Sequence, residues 1–244
     1  MQSLKVNTIY SAFMGECNKY GIGAPCTFVR LAGCNIRCYL KTKGILCDTP
    51  EALKGTSGKE MSIFEILASV GNLPNKLICL TGGEPLLQKG VKELLERLSL
   101  SGYHVVVETN GTIDISPYRH IKNVSFVVDF KCSSTGELSN IDSSNFAFLE
   151  SDDFVKFVVD DEKDLKEVEH FCDRYITHRY PFKLALGLFW GSQISHKELL
   201  EFIKLYTSWG MPLYLNMQTH KMMCLYDQEN GSESFKKLFV PKEL

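Results

Sequence analysis

Three cysteines lie close together near the amino terminus, and two residues with oxygen-bearing side chains follow the last of them. Cys34, Cys38 and Cys47 have the spacing C-x3-C-x8-C, and Asp48 and Thr49 come directly afterwards. A tetrahedral zinc site and a four-iron cluster each require four ligands, so three thiolates leave one coordination position open. The segment therefore predicts metal chemistry, and iron with sulfur suits an open position better than structural zinc does.

The remaining cysteines decide whether a zinc site with a fourth ligand is an alternative to an iron-sulfur cluster. The chain contains nine cysteines, an odd number that is more typical of metal ligands and buried thiols in a reducing compartment than of disulfides. Cys79 and Cys172 lie in apolar patterns and are predicted to be buried thiols. A zinc site would need a fourth ligand, for which Cys17, Cys26 or a distant histidine is available. This alternative stays open at the level of the sequence.

Composition limits the classes of function. Lys and Arg number 27 against 29 Asp and Glu, a net charge of -2, which argues against nucleic acid as a partner and favours a small substrate. No apolar run approaches the roughly 20 residues of a membrane-spanning helix, so no membrane association is predicted. The first ten residues lack the features of a signal peptide, and we expect a cytoplasmic protein.

A second candidate motif is TGGEP, which follows the apolar run KLICL. Gly82 and Gly83 allow a close approach of the backbone to a ligand, and Pro85 restricts the turn that follows. The carboxylate of Glu84 is able to accept a hydrogen bond from an ammonium group. The motif follows a predicted strand and comes soon after the thiol segment, so we expect the two to form one site.

These residues must be positioned by a scaffold of alternating strands and helices. Apolar runs predict strands at 27–31, 76–80, 104–109, 125–130, 154–159, 183–188 and 212–217. Amphipathic patterns predict helices at 62–71, 90–102, 162–178 and 195–210. Repeated strand–helix units predict a mostly parallel sheet with its chemistry at the carboxyl ends of the strands. Because seven strands are one short of a closed barrel, we expect an α/β fold with a partial or modified (β/α) barrel. Residues 1–244 are predicted to form one domain, with 230–244 as a frayed tail.

The two motifs together resemble those of the radical S-adenosylmethionine (SAM) superfamily. The resemblance narrows to its 7-carboxy-7-deazaguanine synthase family, whose motifs are similar, in order, to GECNKYGIGAPCTFVRLAGC, CDTPEA, GGEPLLQ, ETNGT and QTHK. The match extends over roughly residues 7–222. It implies a partial barrel of the radical SAM type.

The resemblance also implies a set of cofactor ligands. Cys34, Cys38 and Cys47 would hold a 4Fe-4S cluster whose open iron is chelated by SAM. The cofactor would be contacted by Gly82, Gly83, Glu84, Asn110, Lys131 and Ser133. Thr49 would coordinate Mg2+, with Asp48 as its neighbour, although Asp-Thr-Pro is also a common signal for a turn or a helix start.

The implied reaction converts 6-carboxy-5,6,7,8-tetrahydropterin to 7-carboxy-7-deazaguanine by hydrogen abstraction at C6, ring contraction and loss of ammonia. Substrate contacts would come from Glu16, Arg30, Glu108 and His220. Independently of the resemblance, Arg30 in an apolar strand is costly to bury unless an anion accompanies it. The resemblance further implies a flavodoxin or ferredoxin as the electron donor and a homodimer.

Two departures and two alternatives accompany this interpretation. Eight residues separate Cys38 from Cys47, whereas the family typically has two between its last ligands, so the loop must be rebuilt. Leu46 stands where an aromatic residue often covers the adenine.

The same thiol segment would fit an activating enzyme that makes a glycyl radical on a partner protein. It would also fit a metal-stabilised binding protein without turnover.

Overall fold

The computed structural model describes residues 2–45 and 47–219. Its nine strands are β1 Ser3–Phe13, β2 Pro25–Leu31, β3 Lys59–Ser62, β4 Leu77–Gly82, β5 His104–Thr109, β6 Val124–Phe130, β7 Phe154–Val159, β8 Lys183–Leu188 and β9 Leu213–Leu215. Its five α-helices are α1 Leu40–Lys43, α2 Ile63–Gly71, α3 Val91–Leu100, α4 Glu162–His178 and α5 His196–Ser208. The predicted tail at 230–244 lies outside the described residues.

All nine strands belong to one sheet with the order β3-β1-β2-β4-β5-β6-β7-β8-β9. Every neighbouring pair from β2 to β9 is parallel. The first strand pairs antiparallel with β2 on one side and with β3 on the other. Within the described part of the chain the sheet is open, because β3 and β9 are its two edges. This arrangement confirms the predicted α/β fold with a mostly parallel, incompletely closed sheet.

Each of the seven predicted strands and four predicted helices is present, with ends that shift by one or two residues. The strands at 104–109, 154–159 and 183–188 and the helix at 162–178 have the predicted bounds. The elements that the prediction lacks are β1, β3 and α1. Alternate residues of β1, Leu4 and Val6, are buried against the helices, so the alternation that identifies a half-buried strand was present in the sequence.

The two faces of the sheet are packed differently. The helix-covered face carries the main apolar core, which includes Val105 and Val107 of β5 and Leu94 of α3. The opposite face, called the inner face here, has a smaller core that includes Val106 and Cys79. Since adjacent strand residues point to opposite faces, β2 and the strands from β4 to β8 each contribute to both cores. On β5, β6 and β7 the inner core ends at Val106, Val127 and Phe154, which leaves the carboxyl ends of these strands for polar side chains.

Short-range signals set the helix starts. Ser62 and Ser195 precede α2 and α5, and each forms a capping box with a glutamate three residues later. Asp161 caps α4 through its side chain, which accepts a hydrogen bond from the Asp164 amide. Among the described residues, no helix combines the length and apolar character needed to cross a bilayer.

Candidate functional site

The three predicted cluster ligands lie in one loop at the carboxyl end of β2. Cys34, Cys38 and Cys47 are partly exposed free thiols. Burial raises the pKa of Cys38, and the charge of Cys34 raises it further. Burial likewise raises the pKa of Cys47 to about 11, with a contribution from Cys38. The three sulfur groups are therefore close enough to interact, and all three belong to one site, which we call the thiol loop.

The spacing of these sulfur atoms distinguishes a cluster from a single metal ion. Four thiolates around one zinc at about 2.3 Å stand roughly 3.8 Å apart. The sulfur atoms of the thiol loop are not all within 4.8 Å of one another. Cys17 and Cys26, the predicted reserve ligands, are buried in the inner core. The donor set thus fits a cluster in which each thiolate binds its own iron better than it fits zinc.

The GGEP stretch lies directly against the thiol loop. The Gly83 amide donates to Leu31 O at 3.2 Å, and the Glu84 amide donates to Gly33 O at 2.8 Å. A Cβ atom added at Gly83 would lie 2.4 Å from Gly33 O and 2.7 Å from Cys34 Cβ. Gly82 has φ +155°, and a Cβ there would lie 2.2 Å from Leu31 O. Both glycines are therefore required by contact of the protein with itself, in addition to any role toward a cofactor.

The Glu84 side chain joins the ends of two neighbouring strands. It is fully buried, and its carboxylate accepts hydrogen bonds from Leu86 N at 3.0 Å, Thr109 Oγ1 at 2.9 Å and Asn110 N at 2.7 Å. Burial raises the pKa of Glu84 to about 7, although these hydrogen bonds oppose the increase. Because protein donors occupy the carboxylate, this side chain fixes the loop after β5 relative to the loop after β4.

Three further residues that the sequence assigned to the cofactor lie around the thiol loop. Asn110 Nδ2 is 3.8 Å from Cys34 Sγ and donates to Asn35 Oδ1 at 3.1 Å. Lys131 forms an ion pair of 2.8 Å with Asp129, and its charge lowers the pKa values of Cys38 and Cys47 against the effect of burial. Ser133 donates to Glu167 of α4 through both its amide and its hydroxyl. The loops after β5 and β6 therefore face the thiol loop from the other side.

Charged side chains occupy the inner face beside this loop. Arg30 of β2 donates to the Tyr10 hydroxyl at 3.5 Å. Lys156 of β7 forms ion pairs with Glu16 and, at 3.2 Å, with Asp129 of β6. Gln218 Nε2 donates to Glu16 Oε1 at 2.7 Å. These side chains extend across neighbouring strands and form a charged row, defined here as Glu16, Arg30, Glu108, Asp129 and Lys156.

Two carboxyl groups in the charged row are shifted in opposite directions. Burial opposes ionisation of Glu16, but the charge and hydrogen bond of Lys156 hold the pKa of that carboxyl below its ordinary value. Burial raises the pKa of Glu108, and the charge of Glu16 raises it further against Lys156, Thr81 and Arg30. Environments that separate the pKa values of two acids are typical of sites that move or hold protons.

Sequence reasoning missed Lys156 and Asp129. Lys156 stands in the apolar run FVKFVV, and its side chain is 9% exposed. The argument that identified Arg30, a cation inside an apolar strand, applied equally to Lys156. Of the predicted substrate residues, Glu16, Arg30 and Glu108 come together on the inner face, and His220 lies outside the described residues.

Thr49 and Asp48 follow the last thiol at the start of a short 3-10 turn, Pro50–Ala52. The Thr49 hydroxyl makes no capping hydrogen bond to that turn, and it lies 3.4 Å from Asp48 Oδ1. The sequence Asp-Thr-Pro therefore does begin a turn, as the alternative interpretation required. However, the threonine oxygen is not used to cap it.

Curated relatives with similar sequences share one name. A 7-carboxy-7-deazaguanine synthase of Methanospirillum hungatei is 34% identical over 226 residues, which cover 91% of this chain and 86% of that protein. One from Koribacter versatilis is 38% identical over 175 residues, which cover 70% of this chain and 72% of that protein. No protein-family model matches the sequence.

Solved structures show the same fold at low sequence identity. A radical SAM methyltransferase from Sphaerobacter thermophilus has a TM-score of 0.54 at 12% identity and covers 78% of this chain and 65% of its own. Streptococcus suis SuiB, in a crystal structure with S-adenosylmethionine, has a TM-score of 0.52 at 12% identity. That match covers 75% of this chain and 44% of SuiB, so this chain spans less than half of it.

Replacing Gly83 with alanine should remove iron from the site. The added Cβ cannot be accommodated 2.4 Å from Gly33 O without moving the loop that carries Cys34. After anaerobic reconstitution we expect Gly83→Ala to retain less than half of the iron of the wild-type chain. Gly71→Ala is the matched control, because a Cβ at Gly71 in α2 meets nothing within 4 Å. Equal iron content in wild type and Gly83→Ala would show that the loop adapts to the added atom.

The raised pKa of Glu84 predicts a pH-dependent stability. The folded chain holds the Glu84 proton up to about pH 7, whereas the unfolded chain releases it near the ordinary value of 4.5. Since the folded state binds the extra proton in this window, stability falls as pH rises through it, by roughly 3 kcal/mol at most. Denaturant unfolding at pH 5 and pH 8 should show that loss in the wild type and not in Glu84→Gln. Parallel pH dependences in the two proteins would contradict it.

Proposed function

The chain belongs to the 7-carboxy-7-deazaguanine synthase family, and from that premise we propose that it converts 6-carboxy-5,6,7,8-tetrahydropterin to 7-carboxy-7-deazaguanine. The observation that carries the proposal is the charged row beside the thiol loop. A small, polar, carboxylate-bearing substrate suits such a row, because buried charges are tolerated where a ligand completes their pairing.

Cys34, Cys38 and Cys47 are the ligands we assign to a 4Fe-4S cluster. When bound, the cluster and SAM would supply hydrogen abstraction from the substrate, driven by one electron from an external reductant. Lys131 assists the thiol loop by favouring the thiolate forms that bind iron. We assign the backbone of Gly82, Gly83 and Glu84 to the cofactor amino group, which it would receive beside the thiol loop.

We assign the rest of the cofactor to the loops after β5 and β6. Asn110, Lys131 and Ser133 would contact its ribose and carboxylate. Asn110 is positioned for this by its neighbours, since its Oδ1 accepts hydrogen bonds from Thr112 N at 3.0 Å and Thr112 Oγ1 at 2.7 Å. Such preorganised polar groups orient a ligand at low entropic cost.

The charged row would bind and orient the pterin. Arg30 pairs with the substrate carboxylate in a charge-assisted hydrogen bond. Glu16, kept ionised and fixed by Lys156 and Gln218, accepts hydrogen bonds from ring N–H groups. Glu108, whose pKa burial raises, is the group we assign to exchange a proton with the substrate as ammonia is lost. His220 completes the proposed contacts.

Several finer assignments accompany this proposal. Thr49 would bind a Mg2+ ion that also touches the substrate carboxylate, with Asp48 beside it. A flavodoxin or ferredoxin would deliver the electron, and the chain would act as a homodimer in the cytoplasm. Family resemblance supports these four assignments. The Thr49 hydroxyl, which makes no capping hydrogen bond to the turn, adds support for the magnesium site.

One anaerobic assay tests the function and separates it from its rivals. Reconstituted protein, a reductant, SAM and 6-carboxy-5,6,7,8-tetrahydropterin should yield 7-carboxy-7-deazaguanine, detected by mass, with SAM regenerated and not consumed in proportion to product. SAM cleavage without conversion of the pterin would overturn the proposal and favour the activating-enzyme alternative. Absence of both cluster and SAM cleavage would favour the binding protein.

Arg30→Ala should weaken substrate binding. Loss of a desolvated charge-assisted pair costs roughly 2–4 kcal/mol, which corresponds to an increase in apparent KM of about 30-fold or more. Steady-state kinetics against pterin concentration measures it. The control is Arg97→Ala on α3, where the arginine side chain is 59% exposed and pairs with Glu93 on the helix surface. An unchanged KM for Arg30→Ala would remove this residue from the substrate site.

Thr49→Val tests the magnesium assignment, because it keeps the shape of the side chain and removes its oxygen. Product formation should fall about 100-fold, since a misplacement of roughly 1 Å costs that much, and its dependence on added Mg2+ should change. Iron content and SAM cleavage without substrate should stay near wild type. Thr56→Val, an exposed site nearby, is the control. Identical magnesium titrations for wild type and Thr49→Val would show that Thr49 only begins a turn.

A further inference from the structure

Between Cys38 and Cys47, the described residues 39–45 form a segment that the apolar core does not hold. Helix α1, Leu40–Lys43, contains no buried residue, and Leu40 is 42% exposed. A helix of four residues is also too short to be stable by itself. Something other than core packing must therefore fix the part of the chain that separates two of the thiols.

An ion pair with a buried carboxylate provides that anchor. Lys43 Nζ lies 2.5 Å from Oδ2 of Asp160, whose side chain is 2% exposed, while Lys43 is 25% exposed. Asp160 Oδ1 has no hydrogen-bond partner among the described residues. Within that part of the chain, Lys43 is thus the charge partner of this carboxylate. Removing the partner of a buried ion pair leaves an uncompensated charge, so docking of α1 and burial of Asp160 depend on each other.

Neighbouring contacts direct the rest of the segment. The Thr42 hydroxyl donates to Ser134 O at 2.5 Å, and the Tyr39 amide donates to Thr135 O at 2.8 Å. The Tyr39 ring packs on the Phe189 ring at a centroid distance of 4.4 Å. Lys43 Nζ lies 5.5 Å from the centre of the Phe189 ring. Tyr39 follows Cys38 directly and has φ 61°, a left-handed conformation that its surroundings must maintain.

We infer that Lys43 and Asp160 are a positioning pair for the iron site: their contact holds the inserted segment against the ends of β6, β7 and β8, and thereby holds Cys38 and Cys47 in place. The inference rests on the proposed function, because it takes these thiols as cluster ligands. Partners outside the ligand set commonly control metal retention by orienting the ligands. Here the partner is an ion pair that the longer spacing makes necessary.

The test measures iron release. Anaerobically reconstituted wild type, Lys43→Met, Lys43→Arg and Lys41→Met are exposed to an iron chelator, and cluster absorbance is followed with time. We expect Lys43→Met to lose iron 10- to 100-fold faster, the range typical for loss of a partner that orients metal ligands. Lys43→Arg, which keeps the charge, should remain near wild type. Lys41→Met is matched in residue type and helix, and Lys41 is exposed, so it should release iron at the wild-type rate.

A second control separates positioning from general destabilisation. Arg119→Met removes the cation 3.1 Å from Asp153, whose side chain is 1% exposed, at the amino ends of the strands. It should lower the unfolding temperature without accelerating iron release. The EPR spectrum of the reduced cluster should broaden in Lys43→Met and not in Arg119→Met.

The inference would be overturned if Lys43→Met released iron at the wild-type rate, or if Arg119→Met accelerated iron release as much as Lys43→Met does. A wild-type chain that takes up no iron would overturn the proposed function and this inference together. A chain that binds the cluster, responds to Lys43→Met as expected and forms no product would overturn the proposed function alone.

Discussion

The contact between the backbone of Gly83 and the thiol loop is the constraint on which the rest of the site depends. The Glu84 amide reaches Gly33 O at 2.8 Å, and no side chain fits between the two segments. This contact fixes Cys34 to the end of β4. Glu84 then extends the connection to Asn110, which lies against Cys34 from the β5 side. One backbone contact and one buried carboxylate thus join three strand ends around the first thiol.

The inner face of the sheet carries buried charged side chains beside an apolar core. Below the strand ends this face is apolar, and above them it carries five charged side chains in contact or in electrostatic range. Lys156 links the carboxylates of Glu16 and Asp129. Burial raises the pKa of Glu108, and Arg30 has the Tyr10 phenol as its hydrogen-bond partner. Charges arranged in this way are costly in an empty protein and well suited to an anionic, hydrogen-bonding substrate. The opposite face carries the larger apolar core.

The sequence predicts the scaffold better than the details of the site, for physical reasons. Parallel strands are buried on both sides, so β5, β7 and β8 appear as apolar runs with clear ends. β1 was missed although Leu4 and Val6 alternate with exposed residues, because that alternation is interrupted between Val6 and Thr8. Arg30 was identified as a cation in an apolar strand, and Glu108 came from the family resemblance. Lys156 was overlooked although the argument for Arg30 applied to it. The internal partners of Glu84 depend on β4 and β5 being neighbours, which no local pattern records. The docking of α1 on Asp160 joins residues 117 positions apart and could not be read from either segment alone.

The longer spacing between the last two thiols has a cost that the fold must offset. Closing a loop of eight residues in place of two costs about 1 kcal/mol of additional chain entropy, by the logarithmic dependence of closure on length. The inserted residues cannot recover that from the apolar core, since α1 buries none of them. What remain are polar contacts to the ends of β6 and β7 and the packing of Tyr39 on Phe189 after β8. Among these, the Lys43–Asp160 pair is the contact in which a buried charge depends on the docked segment. Insertion in this loop therefore favours an electrostatic anchor over a hydrophobic one, because the surface beside the thiols must stay open to a cofactor and cannot also be covered by apolar packing.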